Sequence, residues 1–93
     1  MTAGFVGLHY PRPEHFEEFV ERVHRVADWF RSAPGARSVE VWATTDDDAV
    51  VSIARFDSEE ALRAAFTGAR ELSEAVFDDR ERKPRRIIPL VSR

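Results

Sequence analysis

Two apolar runs on either side of a short polar loop constrain the fold of this chain more than any other feature. They lie within Val39–Phe56, "VEVWATTDDDAVVSIARF". Runs of this length and composition predict two strands of a hairpin, one from about Arg37 to Ala43 and one from Ala49 to Phe56. The second strand carries apolar side chains at both odd and even positions, so we expect both of its faces to be covered.

The most regular periodicity in the chain follows Pro13 and predicts a long helix. Proline suits the first helical position, because its missing N–H would be unpaired there, and "APG" at Ala33–Gly35 is expected to end the helix. Trp29 falls outside the apolar stripe, so we expect it to be exposed, either alone or in a contact surface. The residues of the stripe recur every three or four positions: Phe16, Phe19, Val20, Val23, Val26, Ala27 and Phe30.

The remaining elements are a second helix and two outer strands. Asp57, with Glu60 three residues later, predicts the start of the second helix, and Gly68 predicts its end. "FVGLHY" at Phe5–Tyr10 predicts the first strand. "RRIIPLVSR" predicts the last strand, which should lie at a sheet edge because Pro89 has no N–H to donate.

The order β, α, β, β, α, β predicts a ferredoxin-like α+β fold, with a four-stranded antiparallel sheet and both helices on one face. We expect residues 1–93 to form a single domain. The two central strands are apolar on both sides, yet two helices can cover only one side, so the pattern predicts a homodimer that pairs the uncovered faces. Burying ~600 Å² of apolar area per subunit would contribute ~15 kcal/mol before the loss of rigid-body freedom.

Composition narrows the class of protein further. The chain of 93 residues has a net charge of −3, with 43% hydrophobic and 33% charged residues, which is typical of a globular domain. It has no cysteine, which excludes disulfides and thiolate metal sites. No apolar run suits a membrane span or a signal peptide, so we expect a cytoplasmic protein without a membrane partner.

From Arg80 onward the chain holds six basic residues and one acid. We interpret this segment as offsetting an acidic body, although phosphate binding is the alternative. Nucleic acid is not expected to be the partner, because "AVVSIARF" lacks the glycine and stacking aromatics of an RNA-binding strand.

The segment "RSVEVWATTDDDAVVSIARFDSEEALRAAF" resembles the antibiotic biosynthesis monooxygenase domain of the dimeric α/β barrel superfamily. The resemblance covers roughly Phe5 to Val91. It implies a homodimer with a pocket between sheet and helices in each subunit. It also implies a cofactor-independent monooxygenase whose substrate is a small aromatic such as a polyketide anthrone or a quinol. The alternative is a non-catalytic small-molecule-binding or assembly module on the same fold.

No cofactor is expected. In haem-degrading relatives a tryptophan ends the third strand and a histidine of the second helix ligates iron, whereas this chain has Phe56 and Phe66 at those places. Haem would therefore require His9 or His24 as a substitute ligand. A metal site at Asp46–Asp48 is disfavoured, because adjacent side chains of an extended loop point apart.

An oxygenase without a cofactor needs aromatic walls, a base that acts near neutral pH and a donor to a developing oxyanion. The candidate proton-handling residues are His9, Tyr10 and His24. The candidate substrate-binding residues are Trp42, Arg55, Phe56 and Phe66. Packing without a chemical role is the competing interpretation for each of them.

Overall fold

The computed structural model describes residues 2–93, which form one four-stranded antiparallel sheet and two α-helices. The elements are β1 (Ala3–His9), α1 (Phe16–Arg31), β2 (Ala36–Ala43), β3 (Val50–Phe56), α2 (Glu59–Ala69) and β4 (Arg86–Val91), with 3₁₀ turns at Pro13–His15 and Ser73–Ala75. The strand order is β2-β3-β1-β4, so β1 and β3 are central and β4 is an edge. The predicted ferredoxin-like α+β fold is confirmed, and Pro89 lies in the edge strand.

One face of the sheet carries the core. Phe5 of β1 packs against Phe30 of α1 and Phe66 of α2, with ring centroids 5.5 and 4.8 Å apart. Phe56, which ends β3, has no exposed surface. Buried positions alternate along β3, which places its even-numbered residues against the helices. The apolar stripe of α1 therefore meets the sheet side that also holds Phe5.

The start of α2 corrects one prediction. Ser58, and not Asp57, is the N-cap, and its hydroxyl accepts a hydrogen bond of 3.1 Å from the Ala61 N–H. Asp57 instead forms an ion pair with Arg37. The helix also runs through Gly68 to Ala69, because one glycine inside a packed helix costs only about 1 kcal/mol relative to alanine.

Trp29 corrects another prediction, because it is half-buried and not exposed. Its ring lies 5.2 Å from that of Phe30 in an edge-on arrangement. A β-carbon at Gly68 would lie 2.8 Å from the indole Cη2, so the absence of a side chain there lets α2 approach the ring. Trp29 is thus part of the contact between the helices.

The opposite face of the sheet is mostly apolar, with Glu40, Arg55 and Arg86 on the same side, and has no helix over it within residues 2–93. On β2 and β4 this face presents Trp42 and Leu90, which are 58% and 44% exposed. Six apolar side chains share it with Trp42: Val6, Leu8, Val51, Ile53, Ile88 and Leu90. We call these seven residues the open face.

The basic segment that begins at Arg80 makes ion pairs within the chain. Arg80 lies 3.0 Å from Glu18 of α1. Arg82 pairs with Asp48 of the β2–β3 loop, and the Lys83 ammonium lies 4.2 Å from the centre of the Tyr10 ring. These contacts favour the interpretation that the segment offsets acidic groups of the same chain.

Candidate active site

A cavity of about 260 Å³ lies between the sheet and the two helices. Four phenylalanines, two from α1 and one each from β1 and α2, form much of its wall: Phe5, Phe19, Phe30 and Phe66. The segment around the 3₁₀ turn Ser73–Ala75 contributes Glu74 and Ala75 to the lining. The cavity is therefore apolar along most of its wall, which suits a planar apolar ligand.

Polar groups gather at the end of β1. His9 and Ser52 both face the cavity from the sheet. A β-carbon on Gly7 would lie 2.7 Å from the Ser52 hydroxyl and 3.3 Å from His9 Nε2. Glycine at position 7 therefore leaves the space in which these two polar atoms approach each other, with Ile87 of β4 on the other side.

Glu81 lies beside His9 because the chain extends the pairing of β1 beyond the sheet. Pro11 and Glu81 form an antiparallel bridge, flanked by a backbone hydrogen bond of 2.7 Å from the Arg12 N–H to the Arg80 carbonyl. In antiparallel pairing, a side chain also approaches the residues two positions before and after its direct partner. The direct partner of Glu81 is Pro11, so His9 is such a diagonal neighbour. Accordingly, Glu81 Oε1 lies 3.6 Å from His9 Nδ1.

Glu81 is buried and ionised. Only 3% of the residue is exposed. Arg85 donates a hydrogen bond of 2.6 Å to Oε2. Burial raises the pKa of Glu81, but the neighbouring His9 and Arg85 outweigh this effect and bring it below the ordinary value. The 3.6 Å separation from His9 exceeds a hydrogen bond, so Arg85 is the stronger partner.

Two arginines attach the segment 73–78 to the rest of the domain. Arg22 of α1 is buried, and it donates hydrogen bonds of 2.7 Å to the Glu74 carbonyl and 2.8 Å to the Val76 carbonyl. Arg85 donates one of 2.6 Å to the Ala75 carbonyl. Because both arginines also line the cavity, they position this end of its wall.

The structure brings two of the seven residues proposed from the sequence to the cavity. His9 and Phe66 line it. Phe56 is fully buried on the same side of the sheet but lies in the core and not in the cavity lining. Proton transfer by His9 and substrate binding by Phe66 stay predictions, and both residues line the same cavity.

The other four candidates lie elsewhere. Tyr10 packs under Lys83 and Arg82 at the end of β1. His24 is exposed on α1, and Trp42 and Arg55 are exposed on the strands. None of these four is among the cavity-lining residues.

Sequence reasoning missed Glu81, Arg85 and Arg22. Glu81 carried one available signal, because it is the only acid among six bases from Arg80 onward. Such an acid is more often solvated than buried, and only the pairing with Pro11 shows that it is buried. Arg22 carried no signal, because its role depends on carbonyl groups some fifty residues away in the chain.

Within residues 2–93, no group of three or more histidine, aspartate or glutamate residues is arranged to hold a metal ion. At least one carboxylate of Asp46–Asp48 stabilises the β2–β3 turn, because Asp46 accepts a hydrogen bond of 3.0 Å from the Asp48 N–H.

None of the helices within residues 2–93 is long and apolar enough to cross a membrane.

The four-stranded antiparallel sheet with two helices on one face places this protein in the ferredoxin-like α+β class. Its ligand-sized cavity lies between the sheet and the helices. The chain belongs to the antibiotic biosynthesis monooxygenase family, whose model matches residues 6–76. No curated protein gives a significant sequence match.

Solved structures agree with this fold. Rv0793 from Mycobacterium tuberculosis superimposes with a TM-score of 0.79 at 16% identity, covering 99% of this chain and 95% of that one. SnoaB, a cofactor-independent oxygenase from Streptomyces nogalater, gives 0.74 at 22%, covering 99% and 93%.

The monooxygenase of the gene ActVA-Orf6 from Streptomyces coelicolor, solved in complex with the ligand nanaomycin D, gives a TM-score of 0.67 at 24% identity. The match covers 99% of this chain and 87% of that one. At these identities the likeness concerns the fold.

Proposed function

We propose that this protein is a cofactor-independent monooxygenase that oxidises a small aromatic compound, of the anthrone or quinol type, in the cavity beneath α1 and α2. The observation that carries the proposal is a histidine beside a buried carboxylate in a cavity walled by four phenylalanines. The family to which the chain belongs and the names of SnoaB and ActVA-Orf6 support the same class of reaction.

The cavity favours a small planar substrate. Its volume of about 260 Å³ lies just below the range of roughly 300 to 1,000 Å³ that is usual for ligand pockets. Phe5, Phe30 and Phe66 line it, and their rings pack against one another. Such walls bind a flat aromatic ring system and exclude water from it.

His9 is the proposed base. In an anthrone it would take a proton from the ring CH₂ group, and the resulting anion would transfer an electron to dioxygen. The two radicals would combine into a peroxide anion, which takes the proton back from His9, and the O–O bond of the resulting hydroperoxide breaks with loss of water to leave a carbonyl. One oxygen atom enters the substrate and the other leaves as water with both hydrogens, so the substrate supplies every electron and no cofactor is consumed.

Arg85 is the proposed donor to the substrate anion. It lines the cavity, and its Nε is buried without a hydrogen-bond partner in the described part of the chain. A fixed positive charge next to a developing oxyanion lowers the free energy of the transition state more than that of the neutral substrate. Arg22 serves this purpose less well, since its donors already bind Glu74, Val76 and Asp78.

The test is oxygen consumption with dithranol, an anthrone, measured with an oxygen electrode and corrected for autoxidation. We expect uptake without any added cofactor. His9→Ala should lower kcat/KM by about 100-fold, the usual contribution of a general base. His15→Ala, at the exposed start of α1, is the matched control and should leave the rate unchanged.

Two results would contradict this proposal. If His24→Ala abolished uptake while His9→Ala retained it, the base would be the histidine that the structure places on the surface. If dithranol quenched tryptophan fluorescence on binding but no oxygen were consumed, the chain would be a non-catalytic binding module.

We also propose that two copies of the chain associate through the open face. The support is its extent across all four strands, with Trp42 and Leu90 exposed at the two edges of the sheet. A second copy would cover the apolar side chains that α1 and α2 leave uncovered. The cavity lies on the other side of the sheet, so this association leaves it accessible.

A further inference from the structure

We propose that Glu81 is the positioning residue of this cavity: its carboxylate orients the His9 imidazole with the proton on Nδ1, so that Nε2 faces the cavity as the basic nitrogen. This role gains its catalytic meaning from the proposed function, but the geometry on which it rests does not depend on any substrate.

The two ring nitrogens of His9 have different surroundings. Nδ1 is buried, lies 3.6 Å from Glu81 Oε1 and makes no hydrogen bond within residues 2–93. Nε2 lies near Gly7 and the Ser52 hydroxyl at the cavity floor. A carboxylate accepts hydrogen bonds and donates none, so the nitrogen beside it is the one that carries the proton.

Each oxygen of Glu81 has its own neighbour. Oε2 accepts from Arg85 at 2.6 Å, whereas Oε1 has no hydrogen-bond partner in the described residues and faces His9. Arg85 therefore fixes the carboxylate and leaves one oxygen free for the imidazole. When Nε2 takes a proton, the resulting imidazolium lies next to a negative charge in a buried site, where that attraction is strong.

A second histidine in the chain provides an internal comparison. His15 lies 3.7 Å from Glu18, but these side chains are 39% and 55% exposed, against 13% and 0% for His9 and Glu81. Water and salt screen the exposed pair, so it is not expected to select one tautomer. The two His–Glu pairs therefore have nearly equal N–O distances and differ in burial.

Other charged groups also surround the cavity and act on His9. Arg22 of α1, Arg70 after α2 and Glu74 of the 3₁₀ turn line it, as does Arg85. The three arginines disfavour a positive charge on the imidazole, whereas the Glu81 carboxylate, 3.6 Å from Nδ1, favours one.

The decisive variant is Glu81→Gln. Arg85 needs an acceptor, so the amide oxygen should stay with its guanidinium and the amide NH₂ should turn towards His9 Nδ1. That NH₂ would donate to Nδ1 and move the imidazole proton to Nε2. The variant should thus retain the shape of the Glu81 side chain and remove its charge while it reverses the tautomer of His9.

Nitrogen-15 NMR of the three histidine side chains tests this directly. We expect the Nδ1–H tautomer for His9 in the wild type, insensitive to high salt, and the Nε2–H tautomer in Glu81→Gln. The matched control is Glu18→Gln, which should leave the His9 signals unchanged. An Nε2–H tautomer for His9 in the wild type, or averaging like that of exposed His24, would overturn the proposal even if Glu81→Gln failed to fold.

Activity then separates this proposal from the proposed function. With dithranol, Glu81→Gln should lower kcat by about 100-fold with little change in KM. A normal kcat in a variant with the reversed tautomer would also overturn the role of Glu81. No oxygen uptake by a wild type that shows the Nδ1–H tautomer would contradict the oxygenase and support the orientation of His9.

Discussion

Arg22 Nη1 of α1 donates a hydrogen bond of 2.9 Å to the carboxylate of Asp78, which lies between α2 and β4. Burial raises the pKa of Asp78, but the Arg80 N–H and the Arg22 guanidinium lower it below its usual value. Together with the carbonyl contacts of Arg22, this pair joins the first helix to the segment that forms one end of the cavity.

Arg22→Ala should lower the free energy of unfolding by about 3 kcal/mol, because it removes a buried cation and leaves several carbonyl groups without a donor. The matched control is Arg25→Ala on the same helix. Arg25 pairs with Glu74 of the same segment, but both side chains are largely exposed, so we expect a loss below about 1 kcal/mol. Urea denaturation measures both values, and equal losses would contradict the structural role of Arg22.

Ser58→Ala should lower the free energy of unfolding by about 1 kcal/mol, because the α2 N-cap loses the acceptor for the Ala61 N–H. Asp57→Ala should cost less than about 0.5 kcal/mol, since its ion pair with Arg37 is exposed. Thermal unfolding of the two variants compares them. A larger loss for Asp57→Ala would show that the cap predicted from the sequence operates in solution.

Stability should fall as the pH decreases from about 5 to about 3, in part because of Glu81. Its pKa is lower in the folded chain than in the unfolded chain, where it is ordinary, so the unfolded chain binds the proton more readily. The stabilisation is complete above the unfolded pKa and disappears as the pH falls through the folded one.

Glu81→Gln lacks this titration, so its difference in unfolding free energy from the wild type should shrink between pH 7 and pH 3.5. Urea denaturation at the two pH values measures that difference. Asp46 and Asp78 also have lowered pKa values, but they occur in both proteins and cancel. A difference that stayed constant would mean that the Glu81 charge does not stabilise the fold.

The open face should associate in solution. Light scattering coupled to size-exclusion chromatography at micromolar concentration should give twice the mass of one chain. Ile53→Lys, in the middle of central strand β3, should give a monomer, because an ammonium group buried between two apolar sheets is strongly unfavourable. Thr67→Lys, at an exposed position of α2, adds the same charge and is the matched control, which should remain a dimer. A monomeric wild type would contradict the proposed association.

Local patterns accounted for most of the architecture. The three and four residue spacing from Phe16 to Phe30 corresponds to α1, and the hairpin around Asp46–Asp48 lies where its turn residues predicted it. The missing N–H of Pro89 correctly indicated an edge strand. These signals succeed because helix periodicity and turn chemistry act between residues that are close in the chain, and the missing N–H is a property of proline itself.

The errors arose where two elements meet. Trp29 looked exposed on an isolated helix, but Gly68 of α2 leaves the space that its indole occupies. Ser58 and Asp57 are both good N-cap residues, and the backbone around Gly35 and Arg37 determines which of them can reach the helix. Neither the burial of Trp29 nor the choice of Ser58 as N-cap can be predicted from the spacing of residues within a single helix.

The sequence by itself determined a four-stranded antiparallel sheet with two helices and one uncovered apolar face, because alternation and helical periodicity record which side of each element is apolar. Only the tertiary structure decided which polar groups meet in the cavity. His9 and Glu81 come from opposite ends of the chain, and Glu81 is surrounded in sequence by bases. They become neighbours because the chain after β1 pairs with the segment before β4.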